Sequence, residues 1–233
     1  DFIFSCLPHA ELQSNFSKLP NNIKLIDLSA DFRLKDSQDY NKWYGFTHNH
    51  PKKLNEFIYG LTEFNREKIK ASKYIANPGC YPTSILMPLI PLLKNKIISG
   101  NNIIIDSKSG YSGAGKSRKT ENIFAEVNEN IKSYGIGDHR HTAEINQELS
   151  NFSDDLVNVF FSANLIPVNR GILSNIYINL DANKQHEIYE CLEDTFAKEE
   201  FVTLLPINEV PSTREVIGSN KLSIGVKRGY KDD

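Results

Sequence analysis

Short apolar runs that read as strands alternate with helical stretches through the first third of the chain, and this alternation constrains the fold more than any other feature. Phe2-Ile3-Phe4 precedes a helix start at His9-Ala10-Glu11-Leu12. Ile23-Lys24-Leu25-Ile26-Asp27-Leu28 is the next strand, and Tyr74-Ile75-Ala76 leads into a turn. That βαβ rhythm builds a parallel sheet. From Ile103-Ile104-Ile105 onward the strands are longer and more amphipathic, as in Val157-Asn158-Val159-Phe160-Phe161 and Ser174-Asn175-Ile176-Tyr177-Ile178-Asn179-Leu180. His186 to Lys198 reads as one amphipathic helix, with Ile188, Leu192, Thr195 and Phe196 near the helical period. The second part therefore predicts an α+β domain with a mostly antiparallel sheet.

Charge and length narrow the function. The 233 residues can bury a real core. The 27 basic and 29 acidic side chains leave a net charge of -2, which argues against a nucleic-acid-binding surface. No apolar run approaches the roughly 20 residues of a membrane span. Cys6, Cys80 and Cys191 are far apart, with no paired spacing for disulfides or zinc, so a reducing cytoplasm is the expected setting. Asp1-Phe2-Ile3-Phe4 opens on a strand already under way, and the chain stops just after a strand-like segment. Both ends predict a piece of a longer protein.

The densest chemistry is Asn77-Pro78-Gly79-Cys80-Tyr81-Pro82-Thr83. Gly and Pro force a tight turn, and the apolar stretch after it can begin a helix. A cysteine there meets the positive end of the helix dipole, a setting that favours thiolate and prepares a covalent nucleophile. The alternative is a small buried cysteine at a helix start.

Three further segments bear on function. Gly110-Tyr111-Ser112-Gly113-Ala114-Gly115-Lys116-Ser117 matches the phosphate-loop pattern G-x-x-x-x-G-K-[ST] and follows a strand. The solvent-like Arg118-Lys119-Thr120-Glu121-Asn122 after it, and the lack of a later strand ending in a magnesium-binding Asp, count against a nucleotide hydrolase. The milder reading is a glycine-rich loop whose backbone approaches a ligand closely. His139-Arg140-His141 has H-x-H spacing, which on a strand points both rings to one face. With no third ligand nearby in sequence, a general acid/base histidine is a better reading than a metal site, with Arg140 pairing an anionic substrate; the bland alternative is a surface turn with solvated charges. His48 and His50 are read as loop residues without a role. Arg33, in the loop after the Ile23–Leu28 strand, offers a planar fork for phosphate or carboxylate at a sheet edge where ligands bind. The bland alternative pairs it with Asp31 or Asp36.

Taken in order, several segments resemble the N-acetyl-gamma-glutamyl-phosphate reductase family of the semialdehyde dehydrogenase group. They are Leu7-Pro8-His9, Ile26-Asp27-Leu28-Ser29-Ala30-Asp31-Phe32-Arg33, Tyr59-Gly60-Leu61-Thr62-Glu63, the Cys80 run, Lys108 to Gly115, His139 to Ile145, and Pro167-Val168-Asn169-Arg170-Gly171-Ile172-Leu173. Asn164 and Asn169 depart from the family's usual His and Thr. The family's glycine turn for the nucleotide and its Asn-Leu-x-Lys-Gly-Ala segment lie outside the sequence.

The resemblance implies α/β plus α+β architecture. A partial Rossmann-like NADP-binding domain over residues 1–78 would precede a glyceraldehyde-phosphate-dehydrogenase-like catalytic and dimerisation domain over 79–233, with a mixed, mostly antiparallel sheet. It implies NADPH-dependent reduction of an acyl phosphate through a Cys80 thioester in arginine biosynthesis. His141 is the expected acid/base, with His139 the second choice. Arg33, Arg140 and Asn77 are the expected substrate contacts, with Arg170 a further carboxylate candidate. Pro8, His9, Ser109, Gly110, Ser112 and Gly113 are the expected cofactor contacts, the backbone amides of the last four approaching the nicotinamide. The expected partner is a small acyl phosphate, with no nucleic acid, membrane or metal, and the assembly a homodimer or homotetramer. A sister enzyme acting on an aspartyl or aminoadipyl phosphate, the nucleotide hydrolase, and an inactive remnant are the alternatives.

Overall fold

A computed structural model describes residues 1–115, 123–181 and 183–229. The chain divides into two compact units, Asp1–Thr83 and Ser84–Asp233.

The first unit is built on a parallel sheet. Strands β1 (Phe2–Ser5), β2 (Lys24–Asp27), β3 (Phe57–Tyr59) and β4 (Tyr74–Ala76) lie in the order β1-β2-β4-β3, with every neighbouring pair parallel. Parallel neighbours need crossovers. Helices α1 (Glu11–Asn15), α2 (Ser37–Tyr44) and α3 (Thr62–Ala71) lie in those connections. The βαβ rhythm of the sequence is thus the fold. Asp36 caps α2 by accepting the Gln38 amide at 2.8 Å, and Gly45 closes it at φ 74°, where a side chain would be strained. The core is aromatic: Phe32 stacks on Phe57 with centroids 4.0 Å apart, Phe16 and Tyr74 pack against the pair, and Tyr40 reaches it through the His48 ring.

The second unit holds a mixed sheet. Helix α4 (Cys80–Lys94) opens in the first unit's last residues and runs on into the second. Strands β5 (Ile104–Gly110), β6 (Lys132–Tyr134), β7 (Phe160–Ile166) and β8 (Ile172–Tyr177) are ordered β6-β7-β5-β8. β5 pairs β7 in parallel, while β5–β8 and β6–β7 are antiparallel, so the sheet is mixed and mostly antiparallel as expected. Ser84 of α4 and Ser107 of β5 both bond Ser174 of β8 at 2.7 Å, which seats α4 on one face. Ile85, Leu86 and Leu89 bury there with Ile105 and Phe161. Helices α5 (Phe124–Val127), α6 (His141–Ser150) and α7 (Lys184–Phe196) follow, and the short parallel pair β9 (Val202–Leu204) and β10 (Leu222–Ile224) ends the described chain.

Several sequence expectations move. The H-x-H pair is not on a strand: His139 sits in a turn and His141 is the first residue of α6, so the two rings do not share a pleated face. β7 begins at Phe160 rather than Val157. The amides of Val157 and Val159 instead go to the Ser150 and Asn146 side chains of α6. The first helix starts at Glu11, after Ala10 takes φ 70°. α7 runs two residues earlier than its apolar pattern suggested, with Leu192 and Phe196 as its buried positions. Among the described residues no helix is long and apolar enough to cross a membrane, and no group of three or more His, Cys, Asp or Glu is placed to hold a metal.

Candidate active site

Cys80 is exposed and stands first in α4, which removes the buried-cysteine alternative. The turn before it is fixed one peptide at a time. The Asn77 amide donates to the Asp27 carbonyl at 2.8 Å, continuing the β2–β4 ladder by one bond. The Asn77 carbonyl accepts Nε of Arg33 at 2.7 Å, and the Pro78 carbonyl accepts the Asn77 side-chain amide at 3.1 Å. The Gly79 carbonyl accepts both the amide and the hydroxyl of Thr83, each at 2.9 Å. Three successive carbonyls are therefore held by protein donors. Pro82, in the first helical turn, gives up an amide that has no intrahelical acceptor there.

Arg33 is only 5% exposed. Besides the Asn77 carbonyl it reaches the Leu28 carbonyl through Nη2 at 2.9 Å. It is a buried clamp across the carboxyl ends of β2 and β4, which departs from the surface ion pair that the sequence allowed. The loop that carries it is held from several sides. Asp27, fully buried, accepts the Ser29 amide at 3.0 Å and the Ser29 hydroxyl at 2.8 Å. Burial pushes its carboxyl up to about 6, against the pull of the Ser29 bonds. Asp31 accepts the amides of Ala10 and Gln13 at 2.7 and 3.0 Å, and so caps α1 from another loop. His9 Nδ1 accepts the Ala30 amide at 3.2 Å, tying the exposed Pro8-His9 turn to the same loop. His48, given no role from sequence, is buried. Its Nδ1 accepts the His50 amide and its Nε2 donates to the Asp31 carbonyl at 2.7 Å. Burial holds its pKa down, which keeps that tautomer neutral.

In the second unit the glycine-rich segment closes on its neighbour. The amides of Gly110, Tyr111 and Ser112 donate to the carbonyls of Gly171, Val168 and Asn169 at 3.0–3.1 Å, and the Gly115 amide to Ser112. A Cβ on Gly110 would lie 2.7 Å from the Asn169 carbonyl oxygen, so glycine is required by close backbone approach. Amides spent this way cannot cradle phosphates. This removes the phosphate-loop reading for the described part of the segment; Lys116 to Asn122 lie outside the described residues. The Gly110 and Ser112 amides, two of those expected near the nicotinamide, thus donate within the chain. Arg140 and Arg170 are both exposed.

His139 and His141 come together at the start of α6, with ring centroids 4.9 Å apart. His139 Nδ1 accepts the His141 amide at 3.1 Å. Burial, aided by Arg140, lowers the His139 pKa to about 4. It is therefore neutral at pH 7 and has no imidazolium proton to give.

The parallel sheet of the first unit is of the doubly wound, Rossmann-like class, which binds ligands at its carboxyl edge. Residues 1–72 match the semialdehyde dehydrogenase NAD-binding domain and residues 80–233 the semialdehyde dehydrogenase dimerisation domain. The chain belongs to the semialdehyde dehydrogenase family. It is 47% identical over 221 residues to a probable N-acetyl-gamma-glutamyl-phosphate reductase, chloroplastic, of Oryza sativa subsp. japonica, covering 94% of this chain and 53% of that protein. It is 45% identical over 238 residues to the N-acetyl-gamma-glutamyl-phosphate reductase of Clostridium botulinum (strain Alaska E43 / Type E3), covering 100% and 68%. The chain thus spans little more than half the length of the plant relative. Among solved structures, aspartate semialdehyde dehydrogenase II from Vibrio cholerae matches with a TM-score of 0.66 at 16% identity, covering 96% of this chain and 68% of that one, a likeness of fold.

Proposed function

We propose that the protein reduces N-acetyl-gamma-glutamyl phosphate to N-acetylglutamate 5-semialdehyde and phosphate, with NADPH, in arginine biosynthesis. The observation that carries the reading is Cys80, exposed at the start of α4 on a turn whose carbonyls are all held by protein donors. The names of the most similar relatives support the substrate. The Cys80 thiolate attacks the acyl carbon, the carbon–oxygen bond to phosphate breaks, and a thioester forms. NADPH, when bound, supplies the hydride that takes the thioester carbon to the aldehyde level. His141 gives and takes the proton as the oxygen on that carbon changes protonation, and the carbon–sulfur bond breaks to return the Cys80 thiolate.

Arg33 is assigned the substrate phosphate, its guanidinium oriented in advance by the Leu28 and Asn77 carbonyls. Asn77 is assigned to the same substrate, and its carbonyl accepts Nε of Arg33. Arg140 is assigned the substrate carboxylate, with Arg170 the second candidate. The residues present suit a dinucleotide. Pro8 and His9 follow β1 at the carboxyl edge of a parallel sheet, where such ligands bind. Ser109, Gly110, Ser112 and Gly113 offer close backbone approach rather than amide donation from Gly110 and Ser112. Residues 1–78 form the end of the dinucleotide-binding domain and 79–233 the catalytic and dimerisation domain. The protein works as a homodimer or homotetramer in the cytoplasm.

The test is phosphate-dependent reduction of NADP by N-acetylglutamate semialdehyde in the intact protein. Cys80→Ser is expected to lower kcat by roughly 10⁴-fold or more. Full activity in that variant overturns the covalent route. Activity with aspartate semialdehyde alone moves the assignment to the sister enzyme.

A further inference from the structure

His139 is half-buried, and its ring and backbone are held by His141, Thr142, Gly135, Phe161 and Tyr134. Its Nδ1 accepts the amide of His141, one of the amides at a helix start that has no intrahelical partner. The residue at the cap position, Arg140, makes no side-chain cap bond, so His139 does the capping from one residue further back. The His139 carbonyl accepts the Thr142 amide at 2.8 Å, and its own amide donates to the Gly135 carbonyl at 3.1 Å. Its ring meets Phe161 edge-on at 5.3 Å and 85°, and lies 5.5 Å from Tyr134 and 4.9 Å from His141. The turn behind it is made for this ring. Gly135 has φ +57°, and a Cβ there would stand 2.9 Å from the His139 Cβ and 3.0 Å from its Cδ2. The Gly137 amide anchors the turn to the Phe161 carbonyl at 3.0 Å.

We infer that His139 is a positioning residue, which caps α6 through Nδ1 and fixes the backbone and ring orientation of His141, while Gly135 makes room for it. The inference rests on the reading of His141 as the acid/base. An Nδ1 that accepts a hydrogen bond carries no proton, so the ring works as a neutral cap. Of the charged neighbours on its own turn, Arg140 acts with burial and Asp138 against it, and burial is the largest influence holding the ring neutral. A protonated ring would lose the acceptor and place a second donor against the His141 amide.

The test compares three variants of the intact protein, each checked for its melting temperature. His139→Asn keeps an acceptor oxygen near the place of Nδ1, while His139→Leu keeps bulk without it. Gly135→Ala keeps both histidines in the sequence and displaces the His139 ring. His139→Leu is expected to lower kcat by about 10²-fold with KM within about twofold, since a misplaced group costs the chemical step rather than binding. His139→Asn should restore kcat to within about fivefold of the parent, and Gly135→Ala should follow His139→Leu in direction. His141 itself is titrated by NMR in the substrate-free protein. Its pKa is expected to move by about half a unit or more in His139→Leu and to stay near the parent value in His139→Asn. The NMR arm decides the positioning role whatever the substrate is, so it separates this inference from the acyl-phosphate reading. A His139→Asn variant as slow as His139→Leu makes the imidazole itself the working group and overturns the inference. So does a His139→Leu variant that leaves the His141 titration where it was.

Discussion

Asp27 shows at the scale of one residue how the loop after β2 meets the cost of its own design. The carboxyl is fully buried, and its pKa stands at about 6 against an ordinary 3.8 because burial outweighs the Ser29 hydrogen bonds. A raised folded-state pKa in an acid means that the folded form holds the proton more tightly than the unfolded one. Below about pH 4 both states are protonated and Asp27 costs nothing. Between about pH 4 and 6 the unfolded state ionises while the folded carboxyl keeps its proton, so up to about 3 kcal/mol of stability is lost by the pH at which the folded state carries the buried charge. Asp27→Asn removes the charge while leaving an oxygen for the Ser29 amide. Urea unfolding of parent and variant from pH 4 to pH 8 should give a difference that grows in the variant's favour up to about pH 6 and is flat above it. A difference independent of pH removes this account. His139 predicts the opposite sign. Its folded pKa is depressed to about 4, so the stability that its neutrality contributes is intact above 6.5 and is lost as pH falls toward 4. An NMR titration should find its ring neutral at pH 5.5, and a midpoint near 6.5 overturns that expectation. The candidate nucleophile and the histidine pair were legible in the sequence because each sits in a dense local motif. The buried Arg33 clamp was not, because its partners are backbone carbonyls of Leu28 and Asn77. A carbonyl leaves no mark in a residue string, and the Asn77 contact spans 44 positions. The role of His139 was hidden for a related reason: the two histidines look alike in sequence and differ only in which one accepts the other's amide.

Elements were legible where side-chain period and partner agreed, and shifted where a side chain competed for the backbone. The strand expected from Val157 begins only at Phe160. The Ser150 and Asn146 side chains capture the amides of Val157 and Val159, and β-propensity cannot report that competition. The glycine-rich segment shows the reverse case. Its pattern suggested a loop for phosphate, yet β5 runs through Gly110 and the following turn docks on residues 168–171. The match to a nucleotide motif arose because a tight backbone approach needs glycine whatever is approached. Gly110→Ala would push a Cβ to 2.7 Å from the Asn169 carbonyl oxygen and 2.8 Å from the Arg170 nitrogen, both backbone atoms that cannot rotate aside. A loss of about 2 kcal/mol in urea unfolding is expected. Gly113→Ala meets only the Ser109 hydroxyl, at 2.9 Å, which can turn away. It should cost less than half as much. Equal losses at the two positions would show that the β5 turn is not held by the contact to residues 168–171.

Across the whole molecule, the parallel sheet and the mixed sheet were both readable from the order of short strands and helices, whereas the outer face of the mixed sheet was not. The ladder registers put Phe160, Ile104 and Tyr177 in one row across β7, β5 and β8, and Ser162, Asp106 and Asn175 in the next. The opposite face carries Ile105, Phe161 and Ala163, all buried. On the outer face Phe160, Ile104 and Tyr177 are 52%, 48% and 54% exposed. Three large apolar side chains in register, with polar residues beside them, form the kind of patch that a partner covers. Residues 80–233 match a family domain described as a dimerisation domain, and the occupant proposed for this face is a second copy of the chain. In a two-fold contact each substitution is met twice. Ile104→Glu sets a carboxylate in the middle of the row, and in the intact protein it should raise the dimer dissociation constant at least about 30-fold, the equivalent of about 2 kcal/mol. Sedimentation over a concentration series reads that shift. The fold of the subunit should survive, because nearly half of the Ile104 side chain faces solvent in the single chain. Leu156 is the control: it is 81% exposed but lies outside the sheet, in the segment before β7, so Leu156→Glu should leave the assembly unchanged. If Ile104→Glu keeps the parent mass at every concentration, or Leu156→Glu dissociates as readily, subunits meet through another surface and the apolar row needs a different partner.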